Sequence, residues 1–331
     1  MKKILFILVA WLPLCLCAQE TQFWGNAERY QQRQGSHFLQ QIDQALDQCR
    51  PDTENPLMRR QALYNMDAIL HNTFYDKSDE LKAFMATRVG KVIEDLKAPQ
   101  GEGLKVYKLY NHGFIAKAGG VAVAFDLISA LGLISDEQLE QLVSLCDMLC
   151  ISHKHFDHAD AKVASLFLQQ GKPVFATQET LPDVEGITRI YKGNGGEISV
   201  IETGKVKLHI VHGHQDELQN NLYVVTLPGN FTVCQTGDQY LEEDMPWIKT
   251  LHNRLPKIDA LLVICWSMHL QDFVNGFQPQ VVISGHENEI LYHGIDHREA
   301  YWLSYEKFDG ITQPYSLMTW GEWIIVNSPQ R

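Results

Sequence analysis

Met148-Leu149-Cys150-Ile151-Ser152-His153-Lys154-His155-Phe156-Asp157-His158-Ala159-Asp160 runs an apolar stretch straight into three imidazoles and a carboxylate within six residues. The short run Met148 to Ser152 reads as a buried strand, and the polar residues after it as a loop at the strand's end. Protonated, the three histidines would repel one another. As neutral imidazoles beside a carboxylate they form a nitrogen-and-oxygen donor set suited to Zn²⁺ or a similar divalent ion.

Outward from this motif, short apolar runs recur, each bounded by turn residues. Upstream lie Val106 to Tyr110, Phe114 to Ala118 and Val121 to Phe125, separated by Asn111-His112-Gly113 and Gly119-Gly120. Downstream, strands are expected at Val206 to Val211, Leu222 to Thr226, Phe231 to Gln235, Ala260 to Cys265, Val281 to Ser284 and Trp323 to Val326. Helical spacing appears from Ser135 to Leu145 and from Asp160 to Gln170. Interspersed strands and helices indicate an α/β sandwich. Several later strands end in residues that could bind metal: His212-Gly213-His214 after Val211, Thr236-Gly237-Asp238 after Gln235, and Gly285-His286 after Ser284.

The motif His153-Lys154-His155-Phe156-Asp157-His158 after a buried strand resembles the hallmark of the metallo-β-lactamase superfamily, with Ser152 where that family usually has Thr. The resemblance implies an αββα sandwich carrying two divalent metal ions, with Zn²⁺ as the first expectation. It implies that His153 and His155 hold the first ion and that Asp157 and His158 hold the second. By the same likeness His214, with His212 as its rival, is the third ligand of the first ion. Asp238 bridges the two, His286 completes the second, and Asp126 supports the loop through hydrogen bonds. The likeness covers roughly Val106 to Asn327, without the inserted domain of the nucleic-acid-cleaving branch, and is greatest to the broad group of Zn-dependent hydrolases that includes lactonase-like members.

Two such ions sharing a water lower its pKa toward ~7. The expected reaction is hydrolysis of an ester, lactone, amide or phosphoester of a small molecule by metal-bound hydroxide, with Asp157 as the catalytic residue that orients it. The alternatives are a protein of the same fold that binds metal or ligand without turnover, and an iron-dependent oxidoreductase. Trp266, Met268, His269, Phe273 and Phe277 form an aromatic-rich segment expected to shape a substrate pocket, with His269 or His293 in reach of substrate.

The chain has 331 residues, 45% of them hydrophobic, and a formal charge of -12. Such a balance disfavours nucleic acid and anionic membrane as partners. Residues 1–18, a two-lysine head followed by an apolar run to Ala18, have the layout of a signal peptide, so export to the periplasm or outside the cell is expected, with no stable membrane insertion after cleavage. Lipid anchoring is the lesser alternative, because Cys15 and Cys17 each follow a bulky Leu. Residues 19–100 read as a helical region of three or four helices broken by Pro51 and Pro56, and residues 101–331 as the hydrolase domain. Cys146, Cys150, Cys234 and Cys265 lie in apolar runs and read as small buried hydrophobes.

Overall fold

The computed structural model of the chain describes residues 27–71, 79–99, 101–193, 195–291, 294–295 and 299–327. The expected signal peptide, His293 and His297 lie outside the described residues. Three helices come first: α1 (Ala27–Gln48), α2 (Leu57–Leu70) and α3 (Asp79–Lys97). A first set of strands and helices follows: β1 (Leu104–Lys108), β2 (Phe114–Ala118), β3 (Val121–Phe125), α4 (Asp136–Leu145), β4 (Met148–Cys150), α5 (Ala161–Gln169), β5 (Val174–Ala176) and β6 (Thr188–Arg189). The second half holds β7 (Glu197–Thr203), β8 (Val206–Gln215), β9 (Leu218–Leu227), β10 (Phe231–Gln235), α6 (Met245–Ile248), β11 (Ala260–Ile264) and α7 (Leu270–Phe277). It closes with β12 (Val281–Gly285), β13 (Ile290–Leu291), β14 (Gly294–Ile295), α8 (Tyr301–Phe308), β15 (Tyr315–Ser316) and β16 (Glu322–Val326).

These strands form two seven-stranded mixed sheets, ordered β16-β1-β2-β3-β4-β5-β6 and β15-β12-β11-β10-β9-β8-β7. Side chains alternate across each strand, so every strand gives one row to the space between the sheets and one to the helices outside. Phe114, Phe125 and Cys150 from one sheet meet Leu208, Tyr223, Val233 and Ile283 from the other in the inner core. A second apolar cluster joins the sheets to the helices, through Leu63, Met85 and Val89 on one side and Phe273, Tyr301 and Phe308 on another. The result is an αββα sandwich with three additional N-terminal helices, as the sequence led one to expect.

In both sheets the parallel portion positions the site. β3 and β4 run parallel, as do β10, β11 and β12. The segments that carry Asp126, His153 to His158, Asp238, Trp266 and His286 leave the carboxyl ends of these five strands, the end at which open α/β sheets gather ligand-binding loops.

Candidate metal centre

The loop between β4 and α5 is fixed at both ends. Asp160, the last residue of the motif, caps α5: its Oδ1 accepts from the Lys162 and Val163 amides at 2.9 and 3.2 Å, while its Oδ2 accepts from Ser129 N. Such a cap satisfies helix donors that would otherwise be orphaned. At the strand end, buried Asp126 accepts from Ser152 N and Ser152 Oγ, each at 2.7 Å, and from Gln235 Nε2 at 2.5 Å. Asp126 also meets His158 Nδ1 at 2.8 Å. An acceptor-only carboxylate there places the proton on Nδ1 and turns the Nε2 lone pair inward. Glu299 does the same for His286, meeting Nδ1 at 3.0 Å. Gly237 follows β10 in the left-handed region, and a Cβ there would collide with Ser152 and Asn220, so only glycine brings Asp238 this close to the motif.

Two groups of side chains result, each with ligand atoms within 4.8 Å of one another: Asp157, His158, Asp238 and His286, and His153, His155 and Asp238. Asp238 belongs to both. Its Oδ1 lies 3.3 Å from His158 Nε2 and 3.5 Å from His286 Nε2, and its Oδ2 lies 3.8 Å from His153 Nε2. Asp157 Oδ2 lies 3.0 Å from His158 Nε2 and 3.2 Å from His286 Nε2. The two imidazole nitrogens that Asp126 and Glu299 turn inward are 3.3 Å apart. His153 Nε2 and Asp238 Oδ1 are buried without a hydrogen-bond partner. Converging lone pairs and orphaned acceptors need a positive charge among them, and this donor set of nitrogen and oxygen fits a divalent cation in each group.

The electrostatics carry the same imprint. Burial works against charge on His158, but the carboxylates of Asp157, Asp238 and Asp126 outweigh it and hold that imidazole well above its ordinary range. His286 is raised likewise, against burial, by Asp238 and Glu299. Asp157 and Asp238 are held well below the usual carboxylate range, since His158 and His286 overcome the penalty of burial. His153 shifts the other way: burial and neighbouring His158 keep it neutral.

His214 lies outside both groups. The sequence reading ended the strand at Val211 and left His212-Gly213-His214 in a loop, whereas β8 continues to Gln215 and pairs His214 with Gln219 on β9. His214 Nδ1 meets the Asp216 carbonyl at 3.1 Å and Nε2 meets Asp244 Oδ1 at 3.0 Å, so both ring nitrogens are engaged away from His153. Asp244 is itself held by Trp247 Nε1 and Gln239 Nε2. The rival His212 is buried between Ser199 Oγ and Asn221 Oδ1. Gln215 reaches the centre instead and donates from Nε2 to Asp238 Oδ2 at 3.2 Å.

Three further residues escaped the sequence reading. Asn111 donates from Nδ2 to Asp157 Oδ2 at 2.8 Å, and its carbonyl accepts from His286 N. In the sequence it reads only as a turn residue, although it follows β1 as Asp238 follows β10. Glu289 and Glu299 join His286 in a third group of metal-competent side chains. Burial, with Asp157 and Glu299 adding to it, pushes the Glu289 carboxyl up to about 8 despite His286. In front of the centre is a cleft of about 460 Å³ lined by Phe156, Gln215, Asp216, Tyr240, Trp266 and Glu289 together with His155, Asp157, Asp238, His286 and Glu299. Of the aromatic segment expected to shape it, Trp266 alone is among the described lining residues. Phe273 and Phe277, one helical turn apart on α7, stack in the core at 6.2 Å, and Met268 is exposed.

No protein-family model matches the sequence, and no curated protein matches it either. Solved structures do. The metallo hydrolase Igni18 from the archaeon Ignicoccus hospitalis superposes with a TM-score of 0.52 at 17% identity, over 68% of this chain and 99% of that one. The fold is that of the metallo-β-lactamases. Two further likenesses are the metallo-β-lactamase fold protein YhfI from Bacillus subtilis (TM-score 0.47, 14% identity, 68% of this chain and 99% of that one) and CmlA, a diiron β-hydroxylase from Streptomyces venezuelae (TM-score 0.49, 12% identity, 70% and 55%). At 17% identity the fold is what Igni18 shares with this chain, and the reaction has to be argued from the site.

Proposed function

We propose that this metallo-β-lactamase-fold protein is a metal-dependent hydrolase acting on an ester, lactone, amide or phosphoester of a small molecule. The observation that carries the reading is the pair of donor groups meeting at Asp238, with buried acceptors that nothing among the described residues satisfies. His153, His155 and Asp238 would hold one divalent ion, and Asp157, His158, Asp238 and His286 the other, with zinc the first expectation. His214 would join the first group only if its ring left Asp244. Ions held there would supply Lewis acidity and a water acidic enough to act as a nucleophile at neutral pH.

The chain's own groups do the rest. Asp126 and Glu299 keep the Nδ1 protons of His158 and His286 and so fix which nitrogen faces the centre. Asn111 donates to Asp157 Oδ2. Asp157 Oδ1 is left to orient the attacking water, the role that would make Asp157 the catalytic residue. The reading includes export to the periplasm or beyond, a small-molecule partner, no nucleic-acid partner and no stable membrane insertion. Among the described residues no helix is long and apolar enough to cross a membrane.

The carboxylates around His286 favour one second reading, since an oxygen-rich set also suits iron and would support an oxidoreductase. Purification without added metal, analysis for zinc, iron and manganese, and a panel of ester, lactone, β-lactam and phosphodiester reporters separate the two. Turnover of at least one reporter, lost on chelation and restored by zinc, is expected. A fully metal-loaded protein that turns over none of them would overturn the hydrolase reading.

A further inference from the structure

We propose that the cleft selects substrates carrying a cationic group, an ammonium or quaternary ammonium, seated by Glu289 and the aromatic pair Tyr240 and Trp266. This rests on the hydrolase reading and adds a substrate class to it. The carrying observation is Glu289. Its side chain is only 9% exposed and lines the cleft, its carboxylate takes no hydrogen bond among the described residues, and His286 Nδ1 lies 3.9 Å away. His286 already gives that nitrogen to Glu299 at 3.0 Å, so Glu289 adds nothing to its orientation. A carboxylate so little exposed and so little hydrogen-bonded favours a positive charge that something outside the chain supplies.

The aromatic residues supply the second observation. Trp266 packs edge-on to His286 with centroids 6.0 Å apart, so it and Glu289 flank the same imidazole. Tyr240 lies edge-on to Trp266 at 5.0 Å, and its hydroxyl donates to Asp216 Oδ1 at 2.6 Å. Asp216, Tyr240 and Trp266 thus follow one another along the lining, and His286 stands between Trp266 and Glu289 beside the centre. Carboxylates attract a cation by charge, and aromatic faces attract it through the ring quadrupole. None of the described lining residues is Lys or Arg. Asp216 and Glu289 thus add acidic groups to a lining whose remaining carboxylates, Asp157, Asp238 and Glu299, stand beside the two cation sites, and a cation brought to Glu289 would itself favour ionisation of that carboxyl. An anionic substrate would enter against that balance, and a cationic one with it.

The test uses the full chain, zinc-loaded, with three matched esters: 4-nitrophenyl 4-(trimethylammonio)butyrate, the neutral isostere 4-nitrophenyl 5,5-dimethylhexanoate, and the anionic mono-4-nitrophenyl glutarate. kcat/KM is expected to fall in that order, with the cation preferred over the anion about tenfold or more. Glu289→Gln at unchanged metal content should remove most of that preference, chiefly through KM. Asp216→Asn, at a rim position whose left-handed backbone asparagine tolerates, should narrow it less. Binding of benzyltrimethylammonium chloride, followed by calorimetry, gives a readout independent of turnover. Saturable binding weakened about tenfold in Glu289→Gln supports the proposal even if no ester is hydrolysed, which would count against the hydrolase reading alone. Equal or reversed ranking of the esters, or benzyltrimethylammonium binding that is absent or indifferent to Glu289→Gln, overturns it.

Discussion

Beneath α2 and α3, and again at the ends of β4, β10 and β12, this protein buries opposite charges side by side. In the first place every group is answered from within the chain. Arg59 reaches Glu322 with both terminal nitrogens, at 2.9 and 2.5 Å, and spends its remaining donors on the carbonyls of Leu317 and Cys49. Arg88 pairs with Asp43 at 2.7 Å and with Glu322 at 3.4 Å, and donates to the Trp320 carbonyl. At the centre, imidazole nitrogens and carboxylate oxygens converge on one another, and the positive charge that would reconcile them has to come from outside. The network under the helices fastens them to β16. The centre is built around something that the chain does not contain.

That contrast can be broken or sharpened by substitution. The largest effect is expected at Asp157: Asp157→Ala should lower reporter hydrolysis by roughly 10³-fold or more while leaving the denaturant midpoint close to that of the parent. Full activity in that variant would remove Asp157 from the mechanism. Next comes Glu322→Gln, which leaves buried Arg59 without a carboxylate partner, takes one of several from Arg88, and should cost about 3–5 kcal/mol in urea unfolding, with metal content per folded molecule unchanged. Its pH signature has a definite sign. Arg59 and Arg88 overcome burial and hold Glu322 below its ordinary range, so the stability it contributes is complete above the unfolded glutamate value and is lost as pH falls through the lower folded one. The parent should therefore lose more stability than Glu322→Gln does as pH falls through and below the ordinary glutamate range. Parallel curves would refute the assignment.

Smaller effects are expected where a residue acts through another. Asp126→Asn keeps the volume but can no longer fix the His158 tautomer, and zinc affinity measured by competition with a chelator should fall about 10–100-fold. The smallest concerns His214. Because Asp244 holds its ring, His214→Ala should lower metal content less than His153→Ala. Equal losses would mean that the ring leaves Asp244 when metal binds.

The parts of this architecture that were legible in the sequence are those encoded contiguously. β2, β3 and β10 fall where alternation and turn residues placed them, and the motif after β4 could be read because its donors are adjacent along the chain. β7 was missed, since its residues are largely polar and partly exposed and it exists as a strand only through pairing with β8. Where His214 points depends on how far the β8 and β9 hairpin extends, which is settled by register across the turn rather than by the residues of β8 alone. Phe273 and Phe277 are aromatic and follow β11, which suggests the cleft, but their spacing of four places them on one face of α7, in the core. Asn111 and Glu299 reach the centre from segments that carry no motif. Four of the five described cysteines are buried and all five are free, consistent with their apolar surroundings in the sequence.

The central claim is that Asp238 joins two cation sites. Equilibrium dialysis of the full chain against zinc, followed by metal analysis, tests it most directly. Two ions per chain are predicted for the parent, and one or none for Asp238→Asn at an unchanged circular dichroism spectrum. A parent that binds no ion, or an Asp238→Asn variant that still binds two with parental affinity, would contradict it.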